Sequence, residues 1–466
     1  MNVIAQQAGP KPAEQLAAFA AGLMLPDVPR AVVARAKLQI LDALGVGLAS
    51  NAYDFAAATV AGVQALGGPG TCSVIGRSER LTVRDAALAN GVLIHGLDFD
   101  DTHLGSIVHP TAACLPCALS FGEHRGASGA ALLTAYIAGM ETAIRIGLAV
   151  AGGFHHAGFH ATGIVAHFSA AIVAAKLLGL SAEQMVAAQG IAASTASGVQ
   201  VFLEEGTWTK RLHPGWAAVA GMTAAQLAGA GFKGPLRPYE GRFGLFETHL
   251  QHHAGSAKLG ALSAGLGSVW HLAETAIKPF PVCHFIHGCA DAAVLLHAEI
   301  DPAQIEAVEI LLPRDTLPIV AEPAAAKLRP SNEYEAKFSA PFVVATCLLR
   351  GAFGLADLLP DALADETVLA LAARARCTAD PDTAFPTYFS GGLRLTLRDG
   401  SQLFRHVRVN SGAGERALDE VGVSAKFMAS AGMTVAPEQA ARIRDAVLDL
   451  ETISAADLAA LLRQGE

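Results

Sequence analysis

The sequence predicts a mainly α fold: a large all-helical domain built from both chain ends, with a smaller α+β lid domain inserted. Three observations predict it. Apolar residues recur at helical spacing through most of residues 14–270. The texture changes near residue 276, where short strand-like runs and an Asp-Gly turn enter. After residue 410 the chain returns to helix. The expected boundaries are residues 1–275 plus 410–466 for the helical domain and 276–409 for the lid.

Taken in order, Pro29 opens a helix in which Ile40, Leu41, Leu44 and Leu48 share one face. Gly67-Gly68 and Gly152-Gly153 mark breaks between elements. Ser181-Ala-Glu-Gln184 has the form of a capping box opening the next apolar helix. In the lid, Ala307 to Leu312 reads as a buried strand stopped by Pro313. Leu393 to Leu397 and Leu403 to Val409 flank Asp399-Gly400 as a hairpin. Ala340 to Leu349 and Asp365 to Ala373 read as helices between them, and Ser454-Ala-Ala-Asp457 caps the last helix. No period of 20–50 residues repeats, which argues against a solenoid.

Composition narrows the function classes. Hydrophobic residues are 52% and charged residues 16% of the 466, a skew that calls for buried helices, an oligomer interface or a membrane. Residues 184–203 carry no charge but hold three Gln, and 163–181 include His167 and Lys176. Neither is the Leu/Ile/Phe-dominated run of a bilayer span, so no membrane association is expected, and the Ala/Gly bias suits helix packing and a homodimer. A net charge of −9 with no Lys/Arg-rich run argues against nucleic acid. The N-terminus lacks a basic and apolar secretory leader, and seven scattered Cys fit a reducing cytoplasm. Cys114 and Cys117 form an isolated C-x-x-C in an apolar stretch, better read as core packing than as zinc.

Four segments carry chemistry. His95-Gly-Leu-Asp98-Phe-Asp100-Asp101-Thr102-His103 precedes His109-Pro110; three carboxylates in four residues are an exposed acidic turn, a magnesium site, or a carboxylate orienting a histidine. Phe154-His155-His156-Ala-Gly-Phe-His160 is a glycine-flanked loop feeding a helix. His156 and His160 have zinc-pair spacing but lack the glutamate of H-E-x-x-H; a cleft-facing His160 fits better, with His155 and His156 at the surface. Thr209-Lys210-Arg211-Leu-His213 is a cationic burst in an uncharged setting, a carboxylate clamp or a solvated helix end. Lys278-Pro-Phe-Pro281-Val-Cys283-His284-Phe-Ile-His287 lies where helical body meets lid, and a thiol beside Lys278 would have a lowered pKa.

With His-Pro at 109–110, the motifs DFDDT (98–102), GFHATG (158–163), TKRLHPG (209–215), KPFPVCH (278–284) and EAKFSAPF (335–342) resemble the MmgE/PrpD family. That family includes 2-methylcitrate dehydratases, cis-aconitate decarboxylases and iminodisuccinate epimerases. The resemblance spans nearly the whole chain. It implies a helical domain from both ends, an α+β lid, a homodimer, and catalysis with no metal, cluster or organic cofactor. It places catalytic residues at Asp98, His109, His160, Lys210 and Lys278. Substrate contacts fall at Thr102, Lys210, Lys278 and Cys283, to which the reading of the residues adds His287. Cys283 stands where decarboxylases have histidine, and the chain is one residue longer between Thr102 and His109; both departures weigh against decarboxylation.

The residue types suit proton transfer next to a carboxylate on a small polycarboxylic acid. The two lysines bind carboxylates and stabilise the carbanion. His109 and His160 serve as base and acid, Asp98 orients a histidine, and Thr102 donates to a carboxylate. The expected function is a dehydratase-type lyase. A polycarboxylate epimerase is the alternative, with Cys283 as a second proton carrier; a decarboxylase is less favoured. A non-catalytic carboxylate-binding protein is the reading from another class.

Overall fold

The computed structural model describes residues 10–464. The first nine residues, on which the expectation about a secretory leader falls, and the last two, assigned by expectation to the helical domain, lie outside it.

The described residues are mainly helical with two small sheets. Helices Val83–His95, Pro110–Arg125, Gly129–Val150, Ala161–Leu177 and Thr209–Gly229 pack on one another as the central layer. Their Ala-rich faces are almost wholly buried, so backbones approach closely. At the crossing of Val83–His95 with Thr209–Gly229, a Cβ added to Gly91 would collide with the backbone of Gly215. Two glycines thus set how near these helices come. Helix Gly129–Val150 is long and apolar enough to cross a membrane by length and composition, yet it is buried in this core. It carries a buried Glu141–Arg145 pair at 3.0 Å.

The ends of the chain meet. Helix Arg30–Ala49, the one opened by Pro29, packs on Glu420–Ala431 and Pro437–Leu448. Arg35 donates to the carbonyls of Leu418 (2.9 Å) and Thr275 (2.8 Å), and Lys37 to that of Leu448 (2.7 Å). The Lys37 contact satisfies the last carbonyl of helix Pro437–Leu448, which would otherwise lack a partner. Both capping boxes form, at Ser181/Gln184 and Ser454/Asp457.

The four-stranded sheet has the order Ala375–Ala379, Ile305–Leu312, Gly391–Leu397, Gln402–Val407. The first pair is parallel and the other two are antiparallel. The hairpin turns at Gly400, φ 84°, as the Asp-Gly pair requires. Helix His287–His297 packs on this sheet, with Gly288 against the backbone of Gly391.

Two expectations need correction. The helical stretch is not all helix: Pro69–Ser73 and Arg80–Leu81 form a small antiparallel sheet. Residues 230–286 run mostly as turns and short 3-10 segments, because glycines and prolines interrupt every apolar run there. The sequence also gave no sign of strand Ala375–Ala379.

Candidate active site

The candidate residues sit at the ends of elements, where backbone groups are free and side chains face inward. His95 is the last residue of Val83–His95. The chain then turns through Asp98, whose φ of 54° is in the left-handed region that Asp tolerates better than most residues. Thr102 exchanges two backbone hydrogen bonds with Ala276 (2.8 and 2.9 Å), which stitches this loop to the segment carrying Lys278. His109 precedes Pro110, the first residue of its helix; His160 caps Ala161–Leu177; Lys210 lies in the first turn of Thr209–Gly229. Three helix N-termini therefore converge, a setting that favours an anion.

Asp98 is the hub. Its Oδ1 lies 2.9 Å from Lys278 Nζ and 3.0 Å from Lys210 Nζ, and Lys278 also donates to its carbonyl at 2.7 Å. Burial alone would raise the Asp98 carboxyl, but Lys210 and Lys278 outweigh it and hold the group well below the usual carboxylate range. His109 Nε2 stands 3.8 Å from the same oxygen.

Burial pushes His109 and His160 well below the ordinary value, with Lys210 among the charges adding to the effect. His109 Nδ1 donates to the Asp101 carbonyl at 2.9 Å, an oxygen that can only accept. Its Nε2 therefore carries a lone pair. His160 Nδ1 shares a proton with His213 Nδ1 at 3.0 Å. His95 Nδ1 donates to Asp100 Oδ2 at 2.8 Å, leaving its Nε2 buried and without a partner among the described residues.

The three carboxylates thus have three fates. Asp98 neutralises lysines, so the carboxylate that orients a histidine is Asp100, not Asp98. Against burial, His95 and then His109 hold Asp100 low. Asp101 turns away to the Thr111 N–H and hydroxyl, and burial with Asp100 and Asp42 nearby pushes it to about 8.

Thr102 Oγ1 lies 3.5 Å from His109 Nδ1. Cys283 is buried, its N–H on the Lys337 carbonyl at 2.8 Å. Burial, with Asp98 nearby, pushes its thiol up to about 11, so the expected lowered pKa is wrong: desolvation outweighs Lys278. His287 is fully buried, Nε2 donating to Val282 O at 3.3 Å, against the His284 ring. His156 is exposed and faces His253 rather than pairing with His160. His155 is half-buried, and burial followed by Lys210 lowers it to about 4.

Sequence reasoning placed His95, Asp100 and His213 inside the chemistry-bearing segments but assigned none of them a place among the site residues. The signal for His213 was its place three residues after Lys210, one face of one helix. It also gave no role to Glu333, which pairs with Arg211 and, at 3.4 Å, with Lys337. Burial lowers Lys337 to about 8.

Among the described residues, donor atoms of His95, His109 and His160 lie within 4.8 Å of one another, as do those of Asp98, Asp100 and His109, and of His103, His271 and Glu274. In the first two groups the ammonium pair and the Asp98 and Asp100 contacts already balance the charge, which opposes a cation. In the third, His103 Nδ1 accepts from the Ser106 N–H at 3.2 Å, so its Nε2 is protonated and donates to Glu274. The arrangement as a whole suits binding an anion and moving a proton beside it.

Comparison with known proteins identifies a family. The MmgE/PrpD N-terminal domain matches residues 14–256, and the MmgE/PrpD C-terminal domain matches residues 280–452. A cis-aconitate decarboxylase-like protein of Aspergillus oryzae is 27% identical over 94% of this chain and 93% of its own length. The cis-aconitate decarboxylase of Homo sapiens is 27% identical over 97% and 94%. That of Aspergillus terreus is 30% identical over 59% and 58%.

Proposed function

The chain belongs to the MmgE/PrpD family, whose matched relatives are lyase-type enzymes, and from that premise we propose a lyase that removes a proton next to a carboxylate of a small polycarboxylic acid. One observation carries the reading. A lone-pair nitrogen, His109 Nε2, stands 3.8 Å from the point where both buried ammoniums converge. A base beside an anion clamp is what abstraction of a weakly acidic C–H requires.

In this reading a substrate carboxylate shares Lys210 and Lys278 with Asp98; Lys278 retains one N–H beyond the two it gives Asp98. His109 Nε2 takes the proton from the adjacent carbon, and the electron pair enters the carboxylate as an enediolate. The pair returns to form a C=C bond as hydroxide leaves from the next carbon, taking back the proton that His109 had accepted and departing as water, with His160 hydrogen-bonded to the leaving oxygen. Asp100 and the Asp101 carbonyl fix the tautomers of His95 and His109, and Thr102 steadies His109. This is dehydratase-type chemistry, and the lone pair that the Asp101 carbonyl contact leaves on His109 Nε2 favours it, because its first step is proton removal.

The relatives' names support a second reading, loss of carbon dioxide from cis-aconitate on the same residues. Residues 276–409 serve as the lid, supplying Lys278, Cys283 and Glu333, and the Arg211–Glu333 pair fastens it to the helical body. Proton NMR of EDTA-treated enzyme in D₂O with di- and tricarboxylates tests the proposal. Deuterium entering beside a carboxylate with loss of water supports it; carbon dioxide release without prior exchange selects the second reading. No exchange or turnover, restored by added metal, overturns both.

A further inference from the structure

His284 is held in one tautomer by a relay. The Phe389 N–H donates to Asn410 Oδ1 at 3.2 Å, and a backbone N–H can only donate, so the amide orientation is fixed. Asn410 Nδ2 then donates to His284 Nε2 at 2.9 Å. A neutral imidazole accepting at Nε2 carries its proton on Nδ1. His284 is 4% exposed, and its Nδ1 finds no acceptor among the described residues. The neighbouring His287, ring centroid 4.3 Å away, has its own Nδ1 equally unpaired. A buried donor with its direction locked and no partner marks a place where a ligand acceptor belongs.

Its position suits that role. Cys283, the preceding residue, and Lys278 share its segment, and Phe389 packs edge-on against the His284 ring at 5.1 Å, so rotation away is blocked. Burial, then His287, Lys278 and His109, keep the ring neutral, so the proton stays available for donation.

We propose that His284 is a specificity-determining residue whose Nδ1–H receives a substrate carboxylate other than the one clamped by Lys210 and Lys278, so that the site selects tricarboxylates over dicarboxylates. The inference rests on the polycarboxylate-lyase reading and names its substrate class.

The test pairs ¹⁵N imidazole NMR with calorimetry on the full chain, using tricarballylate and glutarate as unreactive probes. The Nδ1–H signal of His284 shifts with tricarballylate and not with glutarate. His284→Phe keeps an aromatic ring but no donor; it loses about tenfold in tricarballylate affinity and leaves glutarate unchanged. Unchanged tricarballylate affinity in a folded variant, no shift in the wild type, or no preference for tricarballylate overturns the proposal. If the variant does not fold, the wild-type spectrum and preference decide. Deuterium exchange on dicarboxylates without tricarballylate binding would leave the lyase reading standing and remove this one. A His284 shift in a protein that exchanges nothing would do the reverse.

Discussion

Replacing Asp98 with Asn isolates the charge at the centre of the site. Asparagine keeps the side-chain shape and tolerates the left-handed backbone at φ 54°, so the change is electrostatic and little else. In the native protein Asp98 Oδ1 stands 2.9 and 3.0 Å from two ammoniums whose side chains are 1% and 10% exposed. Without the carboxylate, two buried cations face each other. Breaking a buried pair costs about 3–5 kcal/mol. A chain of 466 residues unfolds with roughly 1 kcal/mol/K of entropy, so the thermal midpoint should fall by about 3–5 °C. A polycarboxylate puts negative charge back between the lysines, so tricarballylate should raise the variant's midpoint more than the wild type's. Scanning fluorimetry with and without ligand reads both. A midpoint within about 1 °C of wild type, or equal ligand shifts, refutes the placement of Asp98 as counter-ion.

Three further outcomes are expected. Burial holds His109, His160, His284 and His287 low and His213 at about 4, so below its ordinary pKa each binds protons only when the chain unfolds. Their contribution to stability is therefore full above about pH 6.5 and is lost as pH falls, by up to about 1.4 kcal/mol per pH unit for each histidine, which outweighs the opposite slope of the single raised Asp101; a flat midpoint between pH 7 and 5.5 would contradict this. Lys278→Met should lower kcat by about 10²–10³-fold in the deuterium-exchange assay, and a variant with normal kcat and only a raised KM would demote Lys278 to ground-state binding. Trp208, Leu212, Trp216 and Leu227 recur on one side of helix Thr209–Gly229 and its N-cap at 48%, 41%, 50% and 37% exposure, an apolar face suited to a second copy of the chain; Trp216→Glu should shift sedimentation from dimer to monomer, and a wild-type monomer would rule the interface out.

What could be seen in the residues was whatever depends on neighbours in the chain. The Ser181 and Ser454 caps, the Asp-Gly turn and the helix from Pro29 are local, and each formed. Strand Ala375–Ala379 pairs in parallel with residues more than sixty positions earlier, and its five residues carry no alternation strong enough to show it. The site followed the same division. Asp98, His109, His160, Lys210 and Lys278 were each marked by their motif, and the structure gathers them. The Asp100–His95 bond was hidden because it depends on a backbone turn at residue 98, which no side-chain pattern announces. Cys283 misled for a physical reason: proximity to lysine is visible in sequence, whereas the desolvation that overrides it is not.

The contact between Gly91 and Gly215 bears on how this centre could be rebuilt elsewhere. Lys210 rides on the helix of Gly215, and Asp98 follows the helix of Gly91 by a few residues, so the lysine–aspartate spacing is set by two missing side chains. Copying the charged residues into another helical scaffold would transplant the chemistry without its ruler. A library that freely varied small residues at this crossing would lose the activity before it touched any group that reacts.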